Sequence, residues 1–336
     1  MSTPAATAAH GQPLKFLFPS WFAIVMGLAG LSLAWHRAVP LMGPTAALAA
    51  HAIALLAAAV FAVLAAATLL RRQRHPEAWA EDLKHPLRHV FVAAIPVSLI
   101  LLATVAVASG LRGAAVEALW WLGAMGQLGV MLWVLARWWR APNGLPWASV
   151  TPALIIPVVG NVLVPLAGVP LGRPEWSAAQ FGIGVFFWLV VSALLVVRLA
   201  VQGLWPERLL PASFILVAPP AVIGTAALQF GAPQAFGWGL WGVALFVLLW
   251  LLPLLRRIAD QPIGLTHWAM TFPLAAFTAL TLRLFAQGPL AMVGVALLAF
   301  SSLLVGALLV ATLRGLRDGR LLAPEPVAML TPAAPA

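Results

Sequence analysis

Apolar residues run along this chain in unbroken stretches of about 20, without the period-2 alternation of a half-buried strand. A helix needs ~20 residues to cross about 30 Å of hydrocarbon. Ten such stretches are predicted, over 16–36, 45–70, 87–109, 115–137, 150–169, 177–199, 209–229, 235–255, 265–285 and 289–313. The polar connections are short, so consecutive spans are antiparallel neighbours and form five helical hairpins. Residues 14–314 are expected to be one ten-helix transmembrane domain. Residues 1–13 are small and polar, lack the charged-then-apolar order of a signal peptide, and read as a disordered tail. Residues 315–336, rich in Pro and Ala, read as a largely disordered tail.

Composition sharpens the class. Hydrophobic residues make up 63% of the chain and charged residues 8%, against about 25% charged in a typical soluble domain. Such a sequence cannot cover its surface with polar groups, so the lipid bilayer is its expected solvent. There is no cysteine, which excludes disulfides and thiol ligands. The net charge of +10 resembles a nucleic-acid signal, yet the basic residues sit in short loops between spans, where they set orientation. Fifteen lie on the side of the N-terminus and four, Arg37, Arg112, Arg173 and Arg283, on the other. Both termini are therefore expected in the cytoplasm. Trp35, Trp120, Trp121, Trp138, Trp139, Trp176 and Trp205 fall near span ends, where aromatic belts form.

The prolines carry an internal repeat. Pro19, Pro96, Pro157, Pro219 with Pro220, and Pro273 fall in the first, third, fifth, seventh and ninth spans; the even spans have none near their centres. Proline removes a backbone hydrogen bond and kinks a helix, and the freed carbonyl needs a partner or water. The odd spans are thus expected inside, as a ring that encloses a pore, with the even spans outside. In the first span Ala23, Gly27, Gly30 and Ala34 share one face. That face either admits a neighbouring backbone or leaves room for a conduit.

None of the nine acidic residues is predicted near the bilayer centre, which favours anions or neutral solutes over cations. His51, His85, His89 and His267 lie towards span ends and read as interfacial; no metal-ligand spacing occurs, and no cofactor is expected. HExxH, paired aspartates and GxSxG-type elbows are missing from the spans, so an enzyme is not expected. In the ninth span Phe272, Ala276, Ala279 and Arg283 form a stripe about 16 Å long. Facing a pore, it would put an aromatic plug in the middle and a guanidinium at the outer mouth, attracting anions. The competing reading has Arg283 snorkelling to lipid phosphates.

Four segments resemble the tellurite-resistance/dicarboxylate transporter family, which includes bacterial TehA-type proteins and plant slow anion channels. They are FPSWFAIVMGLAGLSLAW (Phe18 to Trp35), EDLKHPLRHVFVAAIPVSL (Glu81 to Leu99), TPALIIPVVGNVLVPLAG (Thr151 to Gly168, with Asn161) and QPIGLTHWAMTFPLAAFTAL (Gln261 to Leu280). The resemblance implies ten helices in five hairpins around a quasi-fivefold central pore, a homotrimer, and small inorganic or organic anions as solutes. By position it makes Phe272 the gate. The expected function is a passive anion channel in a bacterial inner membrane. The alternative is a secondary carrier of a C4-dicarboxylate, sulfite or tellurite.

Overall fold

In a computed structural model, residues 13–141, 144–286 and 290–323 are described, and every regular element among them is helical. Most of the two expected tails lies outside these residues, although Pro13 already opens a short turn and the last helix runs on to Arg317. In chain order the long elements are α1 (Pro19–Met42), α2 (Pro44–Arg74), α3 (His89–Ala108), α4 (Ala114–Arg140), α5 (Pro152–Gly168), α6 (Pro174–Gln202), α7 (Glu207–Gln229), α8 (Gln234–Ala259), α9 (Leu265–Met270 continuing into Thr271–Leu284) and α10 (Ala291–Arg317). Eight of them, all but α5 and α9, are long and apolar enough to cross a membrane. The molecule is a multi-pass membrane protein.

Burial alternates along the chain. The apolar stretches of α1, α3 and α7 are 61%, 72% and 83% buried; those of α2, α4, α6, α8 and α10 are 11%, 33%, 22%, 17% and 28% buried. Residues 152–165 of α5 are buried throughout, and so is most of α9. Each odd helix packs on the even helix that follows it. The odd helices also pack on one another: α1 on α3, α3 on α5, α5 on α7, α7 on α9, and α9 back on α1. The even helices present Leu48, Leu55, Val63, Phe186, Phe246 and Leu303 outwards, an apolar exterior suited to lipid.

The prolines mark a change of helix type, where a kink in mid-helix was expected. α3, α5, α7 and α9 each begin as a tight 3-10 helix and become α-helical at Ala94, Ile155, Ala218 and Thr271. Pro96, Pro157, Pro220 and Pro273 all stand third in the α-helical part, and Pro219 stands second. Proline has no N–H to donate, so each helix lacks one backbone hydrogen bond at the place where the 3-10 pattern gives way to the α-helical one. Pro19 instead starts the opening turn of α1.

α5 is broken again at Gly160–Leu163, and carbonyls in it and just before it are met by side chains from elsewhere. Gln127 of α4 donates to Ile156 O and Pro157 O, both at 3.0 Å. Trp120 donates to Val164 O (3.0 Å) and Trp205 to Val150 O (2.9 Å). Both indoles are buried, so these two tryptophans are internal caps and do not belong to an interfacial belt. His89 and His267 are likewise buried at helix starts; His89 Nδ1 lies 2.9 Å from His85 O, and His267 Nδ1 accepts the Gly264 N–H.

The short helix Pro76–Lys84 docks on the N-terminal side of the bundle through Asp82, which is buried against Arg71 at 2.7 Å and Arg88 at 3.1 Å. Both guanidinium groups lie over the Phe18 ring. Arg71, counted above with the orienting loop charges, is part of a buried cluster.

Candidate functional site: two cavities meeting at Phe272

Two cavities lie within the ring of odd helices, and every residue lining them comes from α1, α3, α5, α7, α9 or the loops at their ends. All five helices start on the same side, so residue number fixes depth. The first cavity is formed by their N-terminal halves, from Ala23, Met26, Phe91 and Val97 to Ile215, Pro219, Trp268 and Pro273, and measures about 70 Å³. Apart from the Trp268 indole N–H, its side chains carry no polar atom, and that N–H is engaged by Thr312 Oγ1 at 2.9 Å. The second cavity is formed by the C-terminal halves and measures about 520 Å³.

Phe272 and Val222 line both cavities. Phe272 is buried, 9% exposed, where the two cavities adjoin. Gly30 of α1 makes room for that ring: a Cβ there would stand 2.9 Å from Phe272 Cδ2. One turn lower, a Cβ on Gly27 would stand 2.1 Å from Thr271 Oγ1. Gly27 therefore lets α1 approach α9 and lines neither cavity.

The ninth-span stripe stays together. Phe272, Ala276, Ala279 and Arg283 all line the larger cavity, along with Gly30. Arg283 donates to Thr225 O of α7 at 3.1 Å. That contact points the guanidinium towards α7 and the larger cavity. Pro219 and Pro273 line the smaller cavity. Pro19, Pro96, Pro157 and Asn161 line neither. Pro19 is buried at the start of α1, and Pro96 packs under Gly126 of α4. Asn161 turns away to α4, its Nδ2 2.8 Å from Met131 Sδ.

Sequence reasoning missed three groups in the larger cavity: His36, Arg37 and Arg112. His36 Nε2 lies 3.1 Å from Ser109 Oγ, and its ring sits edge-on to His51 with centroids 5.2 Å apart. The overlooked signal was positional. Of the four basic residues on the sparsely charged side, Arg37, Arg112 and Arg283 line the cavity, while Arg173 is paired with Glu117 (Nε to Oε1, 2.8 Å). Among the described residues, no carboxylate lines either cavity.

Similarity to known proteins agrees with this architecture. The chain is 24% identical over 318 residues to the tellurite resistance protein TehA homolog of Haemophilus influenzae, covering 93% of this chain and 95% of that one. It is 26% identical over 208 residues to the S-type anion channel SLAH2 of Arabidopsis thaliana, covering 62% of this chain and 40% of that one. It is also 26% identical to the uncharacterized transporter MJ0576 of Methanocaldococcus jannaschii, covering 79% of this chain and 83% of the relative. The family profile SLAC1, described as voltage-dependent anion channel, matches residues 17–313, and the chain belongs to that family of membrane anion channels and transporters.

Proposed function

We propose that this protein is a passive anion channel whose pore runs through both cavities and is closed by Phe272. In this reading the ten helices all span the membrane, as five hairpins with quasi-fivefold arrangement. Both termini face the cytoplasm across a bacterial inner membrane, and the working form is a homotrimer. The observation that carries the proposal is the single aromatic ring shared by an apolar throat and a basic, carboxylate-free vestibule. An anion is drawn to the vestibule by focused positive potential. It then meets a throat that offers no ligand, so permeation ranks anions by the cost of shedding water.

Electrophysiology of Phe272→Ala tests this. Shortening the ring should raise single-channel conductance by about tenfold or more, since each ~1.4 kcal/mol taken off a barrier is a factor of ten. A membrane as silent as with the native protein would sink the gate.

The second reading, a carrier of a C4-dicarboxylate, sulfite or tellurite, is favoured by similarity to a tellurite resistance protein along nearly its whole length. Concentrative, saturable uptake into liposomes that needs a proton gradient would decide for the carrier.

A further inference from the structure

The larger cavity is lined by three guanidinium groups and, among the described residues, by no acid. Arg37 has no hydrogen-bond or ion-pair partner among the described residues, and Arg112 and Arg283 bond only to backbone carbonyls. Arg37 and Arg283 line the same cavity, where like charges repel each other. Every other arginine on this side of the molecule is accounted for, because Arg173 is neutralised by Glu117. Arg37 and Arg112 stand exposed at the mouth of this cavity and Arg283 is half-buried within it; such a like-charge cluster is relieved by a counter-ion, and more so by one of higher charge.

The throat imposes the opposite preference. Its walls supply no polar side-chain atom to replace hydration. The cost of moving an ion from water to a low dielectric grows with the square of its charge, while its attraction to fixed charges grows only linearly. Doubling the charge therefore doubles the pull of the vestibule and quadruples the penalty of the throat.

We propose that the vestibule is a binding site for doubly charged oxyanions, which lodge against Arg37, Arg112 and Arg283 and block monovalent anions without passing Phe272. The blocker is a free solute and not a lipid headgroup, because only the inner helices and their loops line the cavity. The inference of block rests on the channel reading above; the binding site itself does not.

Two measurements separate these parts, with sulfate as the probe. Titration calorimetry on the purified protein in neutral-lipid nanodiscs should show saturable sulfate binding. Arg112→Gln, a loop position, should weaken it about tenfold or more, while Arg173→Gln, which removes one charge from the same face outside the cavity, should leave it unchanged. Equal weakening by both variants, or no saturable binding, overturns the proposal. So does competition from anionic lipid in the discs, which would make the ligand a headgroup. In planar bilayers, sulfate on the vestibule side should reduce chloride current, and the same concentration opposite should not. Sulfate that carries current itself overturns the block. Sulfate binding in a protein that passes no chloride would uphold the site and remove the channel reading.

Discussion

Gly27 and Gly30 stand about one turn apart on α1, and each is defined by what α9 places against it. At Gly27 a single added carbon would meet Thr271 Oγ1 at 2.1 Å, so the helices cannot keep their spacing with any other residue there. Overpacking of this kind costs about 1–3 kcal/mol. Gly27→Ala should lower the unfolding temperature of the detergent-solubilised protein. Gly129→Ala is the matched control: nothing lies within 4 Å of its Cβ position on α4, and it should leave that temperature unchanged or raised. The small-residue face of the first span was legible from spacing alone. Which side of the choice each glycine takes was not, because Gly27 meets a threonine and Gly30 meets the ring of Phe272.

At the scale of elements, the repeated proline is a device for stopping a 3-10 helix and starting an α-helix at a fixed place. The α-helical part begins two residues before Pro96, Pro157 and Pro273, and two before Pro220. The sequence announces this device through proline spacing, but not its form, since a kink and a junction leave the same letter in the chain. α5 takes the device furthest and depends on other helices for its polar satisfaction. Gln127→Leu leaves the Ile156 and Pro157 carbonyls without their donor. A buried group left unsatisfied costs about 1–3 kcal/mol. The variant should unfold at lower temperature, and hydrogen exchange should rise first in α5. The short helix Pro76–Lys84 is held by a buried ion pair with both side chains 1% exposed. Asp82→Asn strands Arg71 in that setting, a loss of about 3–5 kcal/mol when a buried pair is broken. Limited proteolysis near residues 75–88 should then speed up markedly; an unchanged cleavage rate would show that the cluster does not hold this segment.

Across the whole molecule, alternation is the governing pattern. Odd helices are buried and enclose the cavities, and even helices face outwards. The physical cause is the same at each step. A helix with interrupted backbone bonding cannot face hydrocarbon, so it moves inside, and an unbroken apolar helix covers it. The length and number of apolar stretches, the confinement of prolines to every second one and the scarcity of acidic residues are all local properties, and the sequence by itself determined them. They follow from how much hydrocarbon a segment must cross and which backbone groups it leaves unpaired, so no neighbour need be known. Only the tertiary structure decided that Arg37, Arg112 and Arg283 share one vestibule while Arg173 is neutralised, and that Trp120, Trp205 and Gln127 serve the backbone of α5 and the residues just before it. Those assignments depend on how residues tens to hundreds of positions apart are turned towards one another, and helix-to-helix rotation is set by packing, which a hydropathy pattern does not encode.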